Sequence, residues 1–348
     1  MLPLPPQPAD VPWPTVDWPV GDANPAVDAL VDEVFTDTEQ FGTTYAALVV
    51  VGGRVIAERY GGEITHWDGP DEPVTPDTKL LSWSMAKSVL HAAVGILVGE
   101  KLLDPDAPAP VPAWAGDERS AITLQQLLEM RDGLKWAEDY VDANVSDVIE
   151  MLFGAGTADV AGYATARPLA HEPGKVFNYS SGTSNIVARI VGDAVGDTAA
   201  FLRQRVFDPI GMTSAEARVD DAGTFVGSSF VYATARDWAR FGLLHLRDGE
   251  WDATRVLPEG WVDHGRTLRS RDDDGSGYGA HWWVVDDDLG TFRASGYEGQ
   301  MVAICPALDA LVVRLGNTPE AIKPNLFAWR DRALDAVRQR SGDVPATP

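Results

Sequence analysis

Two side chains with acyl-transfer potential stand three residues apart in the stretch Leu81-Ser82-Trp83-Ser84-Met85-Ala86-Lys87-Ser88-Val89-Leu90. A serine hydroxyl becomes a nucleophile when a nearby base takes its proton. A lysine amine can be that base if it is neutral near the working pH, and burial disfavours its charged form. Residues i and i+3 share a helix face. The residues after Ser84 follow an apolar helical pattern, which sets Lys87 within or near a buried face. The start of such a helix would add free amide N–H groups and positive potential beside the serine, suited to a developing oxyanion. With 15 serines and 6 lysines, about a quarter of such chains hold one Ser-x-x-Lys by chance, so the pair needs context.

Other machinery is sparse. No Gly-x-Ser-x-Gly elbow occurs, so an α/β-hydrolase triad has no obvious nucleophile. The six histidines, His66, His91, His171, His245, His264 and His281, lack the His-Glu-x-x-His zinc spacing. No metal and no cofactor is expected. Each histidine reads as structural or surface, with His91, four residues after Lys87, held in reserve.

The formal net charge is −24, from 28 basic and 52 acidic side chains in 348 residues. Phosphate backbones repel such a surface, which argues against nucleic acid and anionic membranes as partners. No apolar run approaches the roughly 20 residues needed to cross a bilayer. The single cysteine, Cys305, permits no intramolecular disulfide and allows a reducing compartment. The N-terminus Met1-Leu2-Pro3-Leu4-Pro5-Pro6 lacks the basic and apolar regions of a signal peptide. The expected setting is the cytoplasm, with a homodimer left open.

The elements that must carry the pair come next. Residues 1–24, rich in proline and aspartate, read as an arm that lies on the surface or is disordered. A helix is expected over Ala26–Phe41. Two β-branched runs around Gly52-Gly53, from Ala46 to Tyr60, read as a hairpin. Helical patterns follow at Met85–Leu103, Thr123–Met130, Val145–Phe153, Ser184–Val195, Ala199–Val206 and Ala235–Leu246. The last third turns to short strands at Gly279–Val285, Thr291–Ser295, Met301–Cys305 and Ala310–Leu315, then a closing helix over Asn325–Arg340. Strands at both ends and helices between them imply an α+β fold: an antiparallel sheet formed from both chain ends, flanked by helices, with a large mainly helical insertion.

Two further pieces join the pair. One is Pro173-Gly174-Lys175-Val176-Phe177-Asn178-Tyr179-Ser180-Ser181-Gly182-Thr183-Ser184-Asn185. The other is Ala294-Ser295-Gly296-Tyr297-Glu298-Gly299-Gln300-Met301. In this order, with Ser84-x-x-Lys87, they resemble the serine β-lactamase and penicillin-binding-protein superfamily. The likeness is greatest to its class C-like branch, which holds family VIII carboxylesterases and 6-aminohexanoate-dimer hydrolases. Thr234-Ala235-Arg236-Asp237-Trp238-Ala239-Arg240-Phe241-Gly242 and Tyr278-Gly279-Ala280-His281-Trp282-Trp283 support it, and the resemblance spans roughly residues 30–340. It implies a β-lactamase-like fold. After the arm at 1–24, residues 25–83 and 230–345 would make a discontinuous α/β sheet domain and 84–229 a mainly helical one, with the active site between them.

The resemblance also implies roles. Ser84 would be the nucleophile, Lys87 its general-base partner, and Tyr179 the proton shuttle to the leaving group and the deacylating water. A phenol has a reference pKa near ~10, so Tyr179 would need Lys87 close by. The backbone N–H groups of Ser84 and Tyr297 would form the oxyanion hole, such a donor being worth ~10²–10³ in rate. Tyr140 falls where nylon-oligomer hydrolases carry a mobile substrate-contacting tyrosine, with surface-loop packing as the alternative. Ser181, Ser295, Gly296 and Trp283 are further substrate-contact candidates. Turn or strand duties are the plain alternative for Ser295, Gly296 and Gly299. Trp282 and Trp283 face opposite ways if they lie on a strand, so at least one belongs to the core.

Two departures narrow the activity. The Tyr-x-Asn element is Tyr179-Ser180-Ser181, and the Lys/His-Thr-Gly element is Ala294-Ser295-Gly296. The asparagine and the cation that would hold a β-lactam or peptide substrate are replaced. The expected activity is a serine hydrolase acting through an acyl-enzyme on small carboxylic esters or amides. Amide hydrolysis of 6-aminohexanoate oligomers, a non-catalytic binding protein on the same fold, and β-lactam or D-Ala-D-Ala hydrolysis are the alternatives.

Overall fold

The computed structural model describes residues 1–65, 70–140 and 146–342. Its frame is an eight-stranded antiparallel sheet. Two strands come early in the chain, β1 (Thr43–Val51) and β2 (Arg54–Tyr60). Six come from the last third: β3 (Ser270–Arg271), β4 (Gly277–Tyr278), β5 (Trp283–Val284), β6 (Phe292–Gly296), β7 (Gln300–Cys305) and β8 (Ala310–Asn317). They lie in the order β3-β4-β5-β6-β7-β8-β1-β2. The two ends of the chain therefore meet where β1 pairs β8, with Val49 opposite Val312. Gly52 and Gly53 both take positive φ, 57° and 74°, as a two-residue hairpin turn between right-twisted strands requires.

Strand β1, Thr-Thr-Tyr-Ala-Ala-Leu-Val-Val-Val, is apolar on both faces because both faces are covered. Ala46, Leu48 and Val50 join a core shared with helices α2 (Ala86–Gly99), α3 (Ser181–Val195) and α4 (Ala235–Leu246). Ala47 and Val49 point the other way, against α1 (Pro25–Thr36) and the closing helix α5 (Lys323–Gly342). This is the period of two of a strand, read from two sides. Residues 84–229 hold mainly helices and loops on the α2 side of the sheet. Among the described residues no helix is long and apolar enough to cross a membrane.

Several elements differ from the sequence reading. The expected helix over Ala26–Phe41 breaks at Asp37, which ends α1 and whose carboxylate caps the short helix Thr38–Phe41 through Gln40 N. Helix α3 begins three residues early, because Ser180 Oγ accepts from Thr183 N at 2.9 Å and serves as N-cap. The helix expected from Met85 to Leu103 stops at Gly99, and Lys101 turns left-handed with φ 62°. The expected strand Gly279–Val285 is a turn followed by a short strand: Gly279 N donates to Trp282 O, and His281 takes φ 56°. The start of the helix expected at Val145, and His66, lie outside the described residues; that helix is described from Asp147 to Phe153.

The arm is an ordered strap. Arg240 donates to Pro14 O and Val16 O at 2.6 and 2.7 Å. Arg266 donates to Leu2 O at 2.6 Å, and Arg247 to Pro5 O at 3.2 Å and Gln7 Oε1 at 2.9 Å. Trp251 Nε1 donates to Thr15 Oγ1. Proline-rich backbone leaves carbonyls without ladder partners, and buried guanidinium groups supply the missing donors.

Candidate active site

The short strand Leu80–Leu81 pairs with Val231–Ala233, and the segment after it is tied down residue by residue. Ser82 N donates to Val231 O at 2.9 Å, and Ser82 Oγ to Ser229 O at 3.0 Å. A tight turn, Trp83–Met85, then leads into α2. Trp83 takes φ 46°, a left-handed conformation that costs an aromatic residue energy and persists where surroundings enforce it. Its indole donates to Glu298 Oε2 at 3.0 Å. The turn sets Ser84 at the amino end of a 14-residue helix, almost buried.

Lys87, one turn on, is 2 % exposed. Its Nζ lies 3.0 Å from Ser84 Oγ, 3.0 Å from Ser181 Oγ and 3.1 Å from Ser228 O. Burial pushes its pKa down to about 8, against the opposing pull of the Glu138 charge. A sizeable neutral fraction is therefore present near neutrality, as a general base requires. Ser228 is itself fixed by Asn185 of α3, which accepts from Ser228 N at 3.1 Å and donates to Ser228 Oγ at 3.2 Å.

Tyr179 precedes α3. The Lys87 amine sits 4.7 Å from its ring centroid. The ring stacks on Trp283 at 5.3 Å and meets Tyr278 edge-on at 5.8 Å. Burial first, and the Glu138 charge second, push its pKa well above the ordinary phenol value, and the Ser84 side chain exerts a smaller, opposing pull that lowers it. Proximity to Lys87 does not make Tyr179 a resting phenolate. Its hydroxyl is held in the protonated form.

Glu138 is the residue that sequence reasoning passed over. It comes from the loop Trp136–Tyr140 and accepts from Ser181 Oγ at 2.5 Å, Ser181 N at 2.8 Å and Trp136 Nε1 at 2.6 Å. Tyr140 OH lies 3.4 Å from its Oε1. No local spacing marks it, because its partner is 43 residues away.

The remaining candidates divide. Gly296 ends β6 against the Ser84 turn: a Cβ there would stand 2.3 Å from Ser82 O, so only glycine allows the approach. Tyr297 follows it, stacked on Tyr140 at 4.5 Å, with Trp83 edge-on to both. Ser295 Oγ accepts from Arg293 Nε at 3.0 Å. A cation thus reaches the Ala294-Ser295-Gly296 element from two residues upstream, on the Ser295 face; burial lowers its pKa to about 9. Trp282 is buried, whereas Trp283 is half-exposed beside Tyr179. His91 stays apart: it bonds His264 Nδ1 at 3.0 Å and stacks on Trp261. A groove of about 720 Å³ is lined by Trp83, Glu298 and Tyr45 but not by Ser84, Lys87 or Tyr179.

Comparison with known proteins bears on the family and the fold. The β-lactamase family model matches residues 31–337. A 6-aminohexanoate-dimer hydrolase from Paenarthrobacter ureafaciens is 29 % identical, over 90 % of this chain and 82 % of that protein. A family VIII carboxylesterase superposes with a TM-score of 0.70 at 16 % identity, over 91 % of this chain and 99 % of the other. A penicillin-binding protein from Bacillus halodurans superposes with a TM-score of 0.69 at 19 % identity, over 86 % and 99 %. At those identities the two structures speak for the fold alone. With the family model matched across most of its length, the chain belongs to the β-lactamase family of serine hydrolases, which act through an acyl-enzyme.

Proposed function

We propose that the protein hydrolyses small carboxylic esters, with Ser84 as nucleophile, Lys87 as base and Tyr179 as proton shuttle. The observation that carries the reading is the buried amine of Lys87, 3.0 Å from Ser84 Oγ. Ser84 Oγ bonds to the carbonyl carbon while its proton passes to Lys87 Nζ. The amide N–H groups of Ser84 and Tyr297 receive the oxyanion. As the carbon–oxygen bond breaks, the leaving oxygen takes the Tyr179 proton, and Tyr179 recovers one from the Lys87 ammonium. Water then attacks the acyl carbon, its proton returns through the same pair, and the acid departs with Ser84 restored. The site lies at the seam between two units, residues 25–83 with 230–345 and residues 84–229.

Two aromatic clusters adjoin the candidate catalytic residues, Tyr140, Tyr297 and Trp83 in one and Tyr179 and Trp283 in the other, and they favour a small, largely apolar acyl group. Amides of ω-amino acids form a second substrate class, supported by the relative named as a 6-aminohexanoate-dimer hydrolase. The single cysteine, buried, is consistent with a cytoplasmic setting.

The test is intact-protein mass after treatment with a fluorophosphonate, alongside p-nitrophenyl butyrate and 6-aminohexanoate-dimer hydrolysis. One adduct on wild type and none on Ser84→Ala, with turnover lost in step, is the expected result. An adduct that survives the substitution, or a folded wild type that takes none, rejects the reading.

A further inference from the structure

We propose that Glu138, acting through the Ser181 hydroxyl, aims the free electron pair of the Lys87 amine at Ser84. The inference rests on the reading of Ser84 as nucleophile and Lys87 as base, and it assigns Glu138 as a positioning residue.

Proton counting carries the argument. A neutral amine has two N–H donors and one electron pair, and Lys87 Nζ has three oxygen neighbours within 3.1 Å. Ser228 O is a carbonyl and only accepts, so it takes one N–H. Ser181 Oγ has a single hydrogen and could either donate to the amine or accept from it. Glu138 Oε1, 2.5 Å away, decides which. A carboxylate only accepts, so the Ser181 hydrogen points to Glu138, and Ser181 must accept the second N–H of Lys87. Both donors are then spent. The electron pair is left for the third neighbour, Ser84 Oγ, whose hydrogen it is to receive.

Every part of this arrangement is anchored. Glu138 Oε2 is held by Ser181 N and Trp136 Nε1 at 2.8 and 2.6 Å, so the carboxylate cannot swing away. The Asn185 side chain fixes Ser228 by two hydrogen bonds. The serine at position 181 needs such an acceptor, because a hydroxyl left alone rotates and would compete for the amine electron pair.

The titratable groups facing the amine are Glu138 from its loop, Tyr179 from the segment before α3, and His281 from the turn before β5. Tyr179 is held protonated. Burial lowers His281 to about 3, which keeps it neutral. Glu138 thus supplies the charge that favours the ammonium form of Lys87.

The experiment compares wild type, Glu138→Gln, Ser181→Ala and the double variant by fluorophosphonate labelling and by kcat/KM against pH on p-nitrophenyl butyrate. In Glu138→Gln the amide oxygen stays on the two N–H donors. The amide NH2 then faces Ser181 Oγ and turns its hydrogen toward Lys87. The expected loss in kcat is roughly 10- to 100-fold, part of the ~10²–10⁴ that general base catalysis supplies. Ser181→Ala loses a similar factor, and the double variant loses no more than the worse single one. The acid limb of Glu138→Gln moves to lower pH, because the charge that stabilised the ammonium is gone, whereas Ser181→Ala keeps the limb in place. A merely loosened pocket would lower the rate without moving the limb. Should Glu138→Gln fail to fold by circular dichroism, Ser181→Ala and Ser181→Thr carry the test: kcat lost in Ser181→Ala but largely kept in Ser181→Thr, which retains the hydroxyl, supports the proposal, and an unchanged kcat in Ser181→Ala or an equal loss in both overturns it. A labelled wild type whose Glu138→Gln keeps both rate and limb, or losses that multiply in the double variant, overturns the proposal alone. A wild type without a Ser84 adduct removes the reading beneath it as well.

Discussion

Tyr140 and Tyr297 stack face to face, ring centroids 4.5 Å apart and planes 15° from parallel. Trp83 closes the group edge-on to both, 5.9 Å from Tyr140 and 5.4 Å from Tyr297. The backbone N–H of Tyr297 is the proposed second oxyanion donor, so the stack bears on where that donor points. Tyr140→Ala is expected to lower kcat for p-nitrophenyl butyrate by about 10-fold, a fraction of the ~10²–10³ of a lost oxyanion donor. Tyr140→Phe keeps the ring and most of the rate. Equal losses in both variants would place the effect in the hydroxyl, which lies 3.4 Å from Glu138 Oε1, and not in the stack.

The Lys87 amine titrates in a useful range. Its pKa is about 8, and the base must be neutral. Activity should therefore fall as pH drops below about 8, tenfold per pH step at the acid end, in kcat/KM. A flat profile between pH 6 and pH 9 would remove Lys87 from the base role.

The same group is a stability cost. Its folded pKa is depressed from 10.5 to about 8, so the unfolded chain binds the proton more tightly and stability rises with pH between those values. Below pH 8 the penalty is full, about 3 kcal/mol at about 1.4 kcal/mol for each tenfold change in proton affinity. Lys87→Met should be inactive, folded, and higher in Tm than wild type at pH 7, with the advantage shrinking toward pH 10. A lower Tm at pH 7 would show that the three hydrogen bonds of the amine outweigh its desolvation.

Asp132 carries the opposite sign. Its carboxyl is buried at the start of the chain segment under α3, where it accepts from Thr183 Oγ1 at 2.6 Å and Leu134 N at 2.7 Å. Burial raises its pKa to about 6 from 3.8. The folded state holds this proton more tightly than the unfolded one, so its contribution is full below pH 4 and lost as pH rises through 6. Asp132→Asn should gain in Tm relative to wild type as pH goes from 4 to 7, and a difference independent of pH would contradict the shift.

Deleting residues 1–18 should strip acceptors from the Arg240, Arg247 and Arg266 guanidinium groups, which are almost buried. At ~1–3 kcal/mol for each unsatisfied group, the loss should exceed about 3 kcal/mol in a urea titration. A truncated chain with an unchanged midpoint would show that water replaces the strap without cost.

The pair Ser84 and Lys87 was legible because helical spacing is local: three residues along the chain fix three residues along a face. Tyr179 was reachable only through resemblance. Glu138 was not reachable at all, since its loop meets Ser181 through tertiary packing. Arg293 escaped because the element was read along the chain at 294–296, while alternate strand residues share a face and bring position 293 to position 295. Composition leaves the arm open between lying on the surface and being disordered for a related reason. Its carbonyls are satisfied by arginines more than 200 positions away, and composition does not report such partners. The turn at 279–282 reads as strand because its aromatic residues carry strand propensity, whereas the left-handed backbone of His281 has no signature in residue type.

The pairing of β1 with β8 also sets an order of events in the making of the protein. Strand β1 ends at Val51, and its partner Ala310 emerges about 260 residues later. At ribosomal rates of about 5–20 residues per second, the edge of β1 waits roughly 13–50 s for its mate. Throughout that interval Ala-Ala-Leu-Val-Val-Val has the β2 hairpin on one side and open amide and carbonyl groups on the other. An apolar, β-branched, uncharged edge of this kind adds strands from other chains. Nascent molecules crowded on one messenger therefore face a competition between the distant strand of their own chain and the same strand of a neighbour, and slow, cool synthesis with chaperones that shield strand edges should favour the former.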